Sequence, residues 1–417
     1  MAHTQFFKKK TIKDIDVHGK TILLRADFNV PLNDKGEISS DYRIVKSLPT
    51  IKYLLERKCK VIIISHLGRP DGKPEQKYSL RPVYTKLQEL MPEIDIKFSE
   101  STIDDSAKIT CKQAVEGEIV LLENLRFDPG EEGNDMDFAK QLRLVSGADY
   151  FVQDGFGVVH RAHASTEAIT HLLPALGGLL LADEVEELLG VMSSPRRPLV
   201  AVVGGAKISD KIGFIERLLE VADTVLIGGA MANTFLKYND NEIGKSVFEP
   251  GQEEIIKIIF KKAKPGQLIL PKDVGVAAEI ATSSQRRDCA INEIQKDEII
   301  LDIGFETMRE FSGYIHNANT VIWNGPLGYA EIKQFAHGSE VLAKTISDQA
   351  GITSIVGGGD TADFVLNWLD NNPDGHFTHI STGGGAGLEL MSGLKLPGVE
   401  ALLSSAVLTF GDRFVFY

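Results

Sequence analysis

The stretch LVAVVGGAKISDKI, residues 199–212, contains the pattern that decides the fold. Its first five residues are apolar and mostly β-branched, which is typical of a strand buried on both faces of a parallel sheet. The pair Gly204-Gly205 follows at once, and a helical pattern then runs from Ser209 to Glu220. A strand, a glycine turn and a helix in this order form the repeating unit of an α/β fold.

Similar runs recur in both halves of the chain. The first half contains TILLRADF (21–28), KVIIISHLG (60–68), EIVLLENL (118–125) and DYFVQDGFG (149–157). The second half contains TVLIGGA (224–230), QLILPKD (267–273), EIILDIG (298–304), TVIWNGP (320–326), SIVGGGD (354–360) and HISTGGG (379–385). Helical stretches separate the runs, as between Asp41 and Lys58, where Ile44, Leu48, Ile51 and Leu55 repeat at spacings of three and four. Strands alternating with helices predict parallel sheets in both halves.

The length of 417 residues favours two domains, because single cores seldom grow beyond roughly 250 to 300 residues. An acidic helical run, LADEVEELLGVMSS, followed by Pro195-Arg196-Arg197-Pro198, marks the boundary between them. We therefore expect an α/β protein with two Rossmann-like parallel-sheet domains joined by a helical hinge, in a bilobed arrangement. The predicted parts are an N-terminal domain at 1–181, a hinge helix at 182–195, a C-terminal domain at 196–395, and a segment at 396–417 that returns to the N-terminal domain.

Composition limits the classes of partner. The net charge of −13 disfavours nucleic acid and anionic membranes, which need a broad basic surface. The most apolar segment, 169–182, is too short and too interrupted to span a bilayer, and the N-terminus has no apolar stretch of signal-peptide length. The three cysteines lie far apart and form no CxxC, which indicates neither disulfides nor a zinc site. We expect a cytoplasmic protein.

Polar and cationic residues collect where the strands of the first half end, and ligands bind at the carboxyl ends of strands in open α/β sheets. They are Arg25, Asp27, Asn29, Arg43, His66, Arg69, Arg126, His160, Arg161 and His163. Taken singly, each arginine could be a surface charge and each histidine, aspartate or asparagine a turn residue. Together they predict a pocket for a phosphate and a carboxylate, which arginine binds with two parallel hydrogen bonds.

The second half carries glycine clusters after its strands, where backbone amides can approach phosphates closely. Lys207 and Lys211 flank the predicted start of a helix capped by Ser209 or Asp210, a position that disfavours cations unless an anion lies between them. Their alternative is a pair of solvated lysines on a loop. Asp360 follows three glycines and would repel phosphates unless a divalent cation bridges them, so Mg²⁺ is implied; the alternative is a helix cap.

Other nucleotide signatures give a second hypothesis. The P-loop pattern GxxxxGK[ST] is absent from the sequence. Gly357, Gly359 and Ala362 satisfy GxGxxA after a strand, so a dinucleotide-binding dehydrogenase remains an alternative. A dehydrogenase has no need for Asp360 within the turn or for the cationic residues of the first half. A catalytically silent anion-binding module is a third hypothesis, disfavoured by the pairing of Lys207 and Asp360 with a second ligand site.

The motifs RADFNVP, SHLGRP, ENLRF, HRAH, GGAKISDKI, WNGP, GGGDTA and STGGGAGLE, taken in this order, resemble the phosphoglycerate kinase family from about Thr11 to Val399. The resemblance implies reversible phosphoryl transfer from 1,3-bisphosphoglycerate to ADP, giving 3-phosphoglycerate and ATP, in a monomer that uses Mg²⁺. It places the acid on the N-terminal domain and the nucleotide on the C-terminal one.

The resemblance also implies roles for individual residues. The acid would be bound by Asp27, Asn29, Arg43, His66, Arg69, Arg126 and Arg161, with Arg25, His160 and His163 completing a basic patch. The nucleotide would be bound by Gly205, Lys211, Gly229, Gly304, Asn324, Glu331, Gly358, Gly359, Asp360 and Thr361, with Glu331 reaching the ribose and Asp360 the magnesium. Arg43, Lys207 and the loops of Gly358 and Gly384 would hold the migrating phosphoryl group. The chain departs from the family pattern at Gly155, Ala230 and Phe305, where alanine, glycine and proline are usual.

Overall fold

The computed structural model describes residues 6–404, which divide into two compact units. Unit one comprises residues 6–186 and 395–404, and unit two comprises residues 187–394. Among the described residues, no helix is long and apolar enough to cross a membrane. Of the segment expected at 396–417, the structure describes the part up to residue 404, and residues 405–417 lie outside the described range.

Unit one contains, within its described residues, a six-stranded parallel sheet in the order β3-β4-β2-β1-β5-β6. The strands are β1 (Thr21–Arg25), β2 (Lys60–Ile64), β3 (Ile96–Phe98), β4 (Ile119–Leu121), β5 (Tyr150–Gln153) and β6 (Ala175–Gly177). The helices are α1 (Tyr42–Glu56), α2 (Arg81–Leu90), α3 (Asp105–Gln113), α4 (Pro129–Glu132), α5 (Met136–Ser146) and α6 (Leu179–Ser193). Helix α6 starts in unit one and carries the chain into unit two.

The core of unit one follows from the apolar periodicity of the sequence. Ile44, Leu48 and Ile51 of α1 lie in the same buried cluster as strand residues such as Leu24 and Ile63. The predicted helix at 41–58 is thus present as α1, with slightly shorter bounds. Burying this apolar stripe against the sheet removes it from water, which stabilises the fold by roughly 25 cal/mol per Å² of apolar surface buried.

Unit two contains, in its described residues, a second six-stranded parallel sheet in the order β15-β14-β13-β7-β8-β9. Its strands are β7 (Leu199–Val203), β8 (Thr224–Ile227), β9 (Leu268–Ile269), β13 (Thr320–Asn324), β14 (Thr353–Gly357) and β15 (His379–Ile380). Its helices are α7 (Ile212–Val221), α8 (Gly229–Tyr238), α9 (Glu253–Lys262), α10 (Phe305–His316), α11 (His337–Ser347), α12 (Gly359–Asn371) and α13 (Gly384–Met391). A short helix, α14 (Pro397–Glu400), lies in the part of the chain that returns to unit one.

One predicted strand belongs elsewhere. The run EIILDIG forms β12 (Ile299–Ile303), which pairs antiparallel with β10 (Asp273–Ala277) rather than joining the parallel sheet. With β11 (Arg287–Ala290) these strands form a separate three-stranded antiparallel sheet in the order β11-β10-β12. An apolar run predicts a buried strand but does not specify its partner, and this sheet is the main departure of the fold from the predicted pattern.

The parallel pairing places the loops that follow the strands at one edge of each sheet. In unit one these are the loops after β1, β2, β4 and β5, and in unit two those after β7, β13, β14 and β15. The candidate residues in these loops therefore lie at the carboxyl edge of their own sheet, where open α/β sheets bind ligands, whereas the candidate Gly304 follows β12 of the antiparallel sheet.

Candidate active site

The loop after β1 carries a carboxylate and an amide that hydrogen bonds hold in place. Asp27 is buried, and its Oδ1 accepts from the backbone N–H of Asn29 at 3.2 Å. Arg43, at the start of α1, donates from Nη1 to the backbone oxygen of Asn29 at 2.6 Å, and the same nitrogen lies 3.7 Å from Asp27 Oδ2. The three predicted residues therefore form one group in which Arg43 is partly exposed and can meet an anion.

The loops after β2 and β4 join the same group through Gly68. Its backbone N–H donates to Asn29 Oδ1 at 2.8 Å, and its carbonyl accepts from Arg126 Nη1 at 2.9 Å. Gly68 has a φ of +62°, and a Cβ atom there would lie 2.4 Å from the ring of Tyr78, so only glycine fits. Arg69, next in the chain, is exposed at the surface of this loop.

Two histidines of unit one are kept neutral by their surroundings. Burial, and then the neighbouring arginines, hold the pKa of His66 well below its usual value. Burial is also the main cause that lowers the pKa of His163 to about 4. His160 and Arg161 lie in the same loop at the surface, where Arg161 Nε donates to His160 Nε2 at 3.3 Å. Neutral histidines offer hydrogen bonds without adding charge to a site already rich in arginine.

Arg25 occupies a different place from the one predicted. Its side chain is fully buried at the end of β1, where Nε donates to Ser165 Oγ at 2.8 Å and Nη2 lies 3.9 Å from Glu131 Oε1. A buried guanidinium needs a buried counter-ion, and Glu131, which is also fully buried, supplies it. The predicted patch would have placed Arg25 on the basic surface. The structure instead places it beneath that surface.

The glycine loops of unit two pack backbone against backbone. A Cβ atom on Gly204 would lie 2.1 Å from the Pro326 carbonyl oxygen, and one on Gly229 would lie 2.6 Å from the Gly205 nitrogen. Gly229 and Gly205 also have φ values of +64° and +87°, where side chains are strained. The loops after β7, β8 and β13 meet at the carboxyl edge of the sheet, and this meeting makes the predicted residues Gly205 and Gly229 neighbours.

The segment between β7 and α7 differs from the predicted capped helix. Residues Ser209–Lys211 form a 3₁₀ turn, and α7 begins at Ile212. The Ser209 backbone N–H donates to the Glu249 carboxylate at 3.1 Å, and the Ser209 hydroxyl contacts that carboxylate too, so Ser209 does not cap α7. The predicted cap at Ser209 or Asp210 is therefore wrong, because Glu249 takes the donors of this turn.

The two lysines of this segment lie in contrasting environments. Lys211 donates from Nζ to the Gly204 carbonyl oxygen at 2.9 Å, and burial lowers its pKa to about 8, against the opposing effects of Asp360 and Asp210. Lys207 is exposed at the mouth of the same cavity. One lysine is therefore held inside the site, while the other can reach a ligand.

A cavity of about 360 Å³ collects the predicted phosphate-binding groups of unit two. Its lining includes Lys207, Lys211, Asn324, Gly358, Gly359, Asp360, Thr361 and Gly384. A Cβ atom on Gly384 would lie 2.7 Å from the Gly359 nitrogen, so the loops after β14 and β15 touch. The backbone N–H groups at the starts of α12 and α13 thereby adjoin one space, and such helix starts attract anions.

Asn324 is the most distinctive residue of this cavity. It is 1% exposed, and within the described chain neither its side-chain oxygen nor its side-chain nitrogen has a hydrogen-bond partner. Thr361, which is also buried, is already engaged, because its hydroxyl accepts from the Gly325 N–H at 2.6 Å. Buried polar atoms are normally satisfied, so the Asn324 amide is available for a ligand.

A second, more apolar cavity of about 220 Å³ adjoins the first through Gly205, Ala206, Pro326 and Asp360, which line both. Its walls include Leu236, Val274, Ile280, Ile300, Leu327 and Tyr329, with Gly229, Ala230 and Glu331 among its other lining residues. Val274 and Ile300 come from the antiparallel sheet, which gives that sheet a place in the site. The predicted Gly304 is the N-cap of α10, just after this wall, and Asp273 packs against it.

Sequence reasoning missed three contributors to these sites. Glu131 and Ser165 are internal partners of Arg25, and Glu249 orders the turn that carries Lys211. Glu131 belongs to an acidic helix start after a proline, where a carboxylate is an ordinary helix feature. Its pairing spans more than a hundred residues, which no local pattern reveals.

Comparison of the sequence with known proteins matches one family over most of the chain. Residues 12–394 match the family model described as phosphoglycerate kinase. The chain is similar to the phosphoglycerate kinase of Pelotomaculum thermopropionicum, with 45% identity over 397 residues that cover 95% of this chain and 99% of the relative. It is also similar to that of Chloroflexus aggregans, with 46% identity over 399 residues, covering 94% and 98%.

Solved structures agree with these sequence relatives. The phosphoglycerate kinase of Coxiella burnetii superposes with a TM-score of 0.79 at 37% identity, covering 94% of this chain and 98% of the other. That of Pyrococcus horikoshii gives a TM-score of 0.81 at 30% identity, with the same coverage.

Proposed function

This chain belongs to the phosphoglycerate kinase family, and from that membership we propose how its two sites carry out the reaction. The enzyme transfers a phosphoryl group reversibly between 1,3-bisphosphoglycerate and ADP, giving 3-phosphoglycerate and ATP. The dehydrogenase suggested by the GxGxxA pattern is not supported, because family and structure agree on a kinase.

The acid binds to the partly exposed cationic surface at the carboxyl edge of the sheet in unit one. Arg69 and Arg161 are exposed there and grip the phosphate that does not move, while Arg43 lies beside Asp27 and meets the carboxyl end. Asp27 and Asn29 face the hydroxyl of the acid, for which a carboxylate and an amide are suitable partners. Arg126 and the neutral His66, which are both buried, are the remaining residues of the acid site and lie beneath its exposed surface.

The nucleotide binds across the two adjoining cavities of unit two. The apolar cavity suits a flat base, with Glu331 at its lining for the ribose hydroxyls. The glycine-lined cavity suits the phosphates, which meet Lys211, the Asn324 amide and the N–H groups at the starts of α12 and α13. The supporting observation is that the buried Asn324 amide, which has no hydrogen-bond partner among the described residues, lines the same cavity as the partly buried Lys211.

Asp360 fits a magnesium ion that accompanies the nucleotide. It is exposed in the first turn of α12 and lines both cavities. No cluster of three or more potential ligands occurs among the described residues, and Mg²⁺ bound with nucleotides typically uses one or two carboxylates plus phosphate oxygens. When bound, Mg²⁺ neutralises charge on the phosphates.

The transfer step needs positioning rather than a general base. The carboxylate oxygen of 3-phosphoglycerate and the β-phosphate oxygen of ADP are both already anionic, so neither nucleophile has a proton to lose. Lys207 and Arg43 stabilise the oxygens of the migrating group, together with N–H groups of the Gly358 and Gly384 loops. Each such preorganised donor lowers the barrier by on the order of 3 kcal/mol. Direct transfer also requires that the bound acid and nucleotide come within bonding distance, with water excluded.

A coupled assay tests this function directly. Purified chain with 3-phosphoglycerate and MgATP should form ADP at a rate proportional to enzyme, and omission of Mg²⁺ should abolish it. Asn324→Ala should raise the KM for ATP while the KM for 3-phosphoglycerate stays unchanged, since the amide faces only the nucleotide cavity. Nicotinamide cofactor with the acid, without nucleotide, serves as the control. Turnover in that control, or none with MgATP, would refute the proposal.

We further infer that the working form is a cytoplasmic monomer. One chain carries both predicted sites, so catalysis needs no second copy, and the three cysteines are buried and unpaired, as a reducing compartment favours. Sedimentation at assay concentrations should give the mass of one chain, and a specific activity that rises with protein concentration would contradict this.

A further inference from the structure

Beneath the cationic surface of unit one lies a buried network centred on Arg25. The guanidinium Nη2 lies 3.2 Å from His66 Nδ1, and Nε donates to Ser165 Oγ at 2.8 Å. A guanidinium has donors and no acceptor, and it stays protonated in proteins. The contact with His66 is therefore a hydrogen bond only if Nδ1 carries a lone pair.

Glu131 fixes the position of this guanidinium. Its carboxylate is fully buried and accepts from the hydroxyl of Ser165 at 2.6 Å and from the Ser165 N–H at 3.0 Å. The Ala164 N–H donates to the Glu131 backbone oxygen at 2.9 Å. Ser165 thus accepts from Arg25 and donates to Glu131, so its single hydroxyl hydrogen orders the network in one direction.

We propose that Arg25, anchored by Glu131 and Ser165, is a positioning residue that fixes His66 as a neutral imidazole with its proton on Nε2. That proton makes His66 a hydrogen-bond donor to the bound acid, and this last step depends on the proposed function. The other tautomer would set an Nδ1–H against an Arg25 N–H and leave Nε2 as an acceptor facing an anion.

The charges around His66 support one protonation state. The cationic or titratable groups that act on it are Arg25, Arg126, Arg43 and His163, and Asp27 Oδ1 lies 3.8 Å from Nδ1. Asp27 favours a proton on Nδ1, while the arginines and burial oppose a second proton. Arg25 has the shorter contact with Nδ1 and decides between the tautomers.

The first experiment observes His66 in the unmodified chain. Nitrogen-15 NMR of the ¹⁵N-histidine-labelled protein without ligands, between about pH 5 and pH 8, reports the tautomer and charge of each ring, and His66→Asn assigns the signal. We expect a neutral ring protonated on Nε2 throughout. A ring protonated on Nδ1, or one that titrates near its ordinary pKa, would overturn the proposal while leaving the assignment of the reaction intact.

The second experiment removes the donor. Arg25→Met should move the His66 proton to Nδ1, towards Asp27, and raise the KM for 3-phosphoglycerate by roughly tenfold, the effect of one lost hydrogen bond, with the KM for ATP unchanged. Activity should also acquire a dependence on pH in the range where histidine titrates. Arg25→Lys, which keeps a cationic donor, should restore part of the affinity.

A milder variant and a matched control separate positioning from stability. Ser165→Ala removes one anchor and should raise the KM for 3-phosphoglycerate by a few-fold, so it serves if Arg25→Met does not fold. Glu123 is also buried and accepts from a serine hydroxyl, Ser79 Oγ at 2.6 Å, and from the Leu80 N–H at 2.7 Å. Glu123→Gln should lower stability but leave the His66 spectrum unchanged. A shifted tautomer with an unchanged KM for 3-phosphoglycerate would refute the donor role of His66.

Discussion

Lys207 and Lys211 are four residues apart, yet their environments differ. Lys211 is engaged with the backbone inside the cavity, whereas Lys207 is exposed at its mouth. We therefore propose that Lys211, a cation already in place, serves nucleotide binding, and that Lys207, which is exposed, stabilises the transition state.

Lys207→Ala should therefore lower kcat on the order of 100-fold or more while changing the dissociation constant of ADP little, because its interaction is strongest in the transition state. Steady-state kinetics and calorimetric titration with MgADP measure the two quantities. Lys261→Ala, an exposed lysine on α9, provides the control and should leave both unchanged. An unaltered kcat in Lys207→Ala would remove this residue from the transfer step.

Lys211 should make nucleotide binding depend on pH. Its pKa is lowered to about 8 mainly by burial, and a bound phosphate favours the charged form and raises that pKa. Affinity for MgADP should thus be constant below about pH 8 and fall as pH rises above it, by up to about tenfold per pH unit. Calorimetry in buffers of different ionisation heat should detect proton uptake at pH 9 but little at pH 7. Lys211→Arg keeps its charge and should show no such dependence.

Arg69 provides the corresponding test for the acid. It is exposed on the loop after β2, so Arg69→Ala removes a phosphate contact with little cost to the fold. The KM for 3-phosphoglycerate should rise roughly tenfold or more, with the KM for ATP unchanged. Arg143→Ala, an exposed arginine on α5, is the matched control. A selective rise in the KM for ATP would reassign Arg69.

At the scale of elements, runs of β-branched residues predicted most of the strands that position the sites. β1, β2, β7 and β13 each coincide with a quoted apolar run, because a strand buried on both faces needs such a run. The direction of β12 was not predictable, since composition does not distinguish parallel from antiparallel partners. β3 and β6 are each three residues long and lie outside those runs, so tertiary contacts define them more than their sequence does.

Helix α6 has a start that only tertiary structure explains. Asp154, after β5, accepts from the Leu180 N–H at 3.0 Å, and Thr50 of α1 accepts from the Leu179 N–H at 3.0 Å. A Cβ atom on Gly178 would lie 2.0 Å from Asp154 Oδ1, so glycine makes room for this carboxylate. Two side chains from distant elements thus satisfy the N–H groups that a helix leaves free at its start.

Asp154 should also make stability depend on pH. Its pKa is raised to about 7, mainly by burial, above the ordinary value of 3.8. The folded state therefore holds the proton more tightly than the unfolded state, which stabilises the fold at low pH, and this contribution is lost between about pH 4 and pH 7. Relative to Asp154→Asn, the free energy of unfolding should fall by on the order of a few kcal/mol across that window and stay level above it. Urea unfolding at several pH values measures this.

A matched variant separates the buried carboxylate from an ordinary helix cap. Asp135→Asn alters an exposed N-cap whose side chain accepts from the Phe138 N–H at 2.7 Å, and it should change stability little, because asparagine caps helices about as well as aspartate. If Asp154→Asn tracked the wild type at every pH, burial of a titrating carboxylate would be excluded as the cause.

For the whole molecule, unit one is made from two separate stretches of the chain. Residues 395–404 return to it, with hydrogen bonds from the Lys10 N–H to the Leu403 carbonyl at 2.7 Å and from the Leu403 N–H to the Ala175 carbonyl at 3.0 Å. The sequence motifs do not specify these contacts, which join residues more than two hundred positions apart and, for Lys10 and Leu403, nearly four hundred. The stability of unit one, the proposed acid-binding unit, therefore depends on a segment that follows all of unit two.

A single substitution in that segment should unfold unit one first. The Gly398 N–H donates to the Val159 carbonyl at 2.9 Å, and a Cβ atom on Gly398 would lie 3.0 Å from Val159 Cα, so Gly398→Val forces backbone apart and should cost on the order of 2 kcal/mol or more. Trp323 and Trp368, the two tryptophans of the chain, both belong to unit two, so their fluorescence follows that unit alone. In urea, the circular dichroism of the variant should begin to fall before its fluorescence changes. Gly313→Ala, on α10 with open space at its Cβ position, should shift neither signal to lower urea. Coincident transitions in Gly398→Val, at the wild-type midpoint, would show that the returning segment contributes little to unit one.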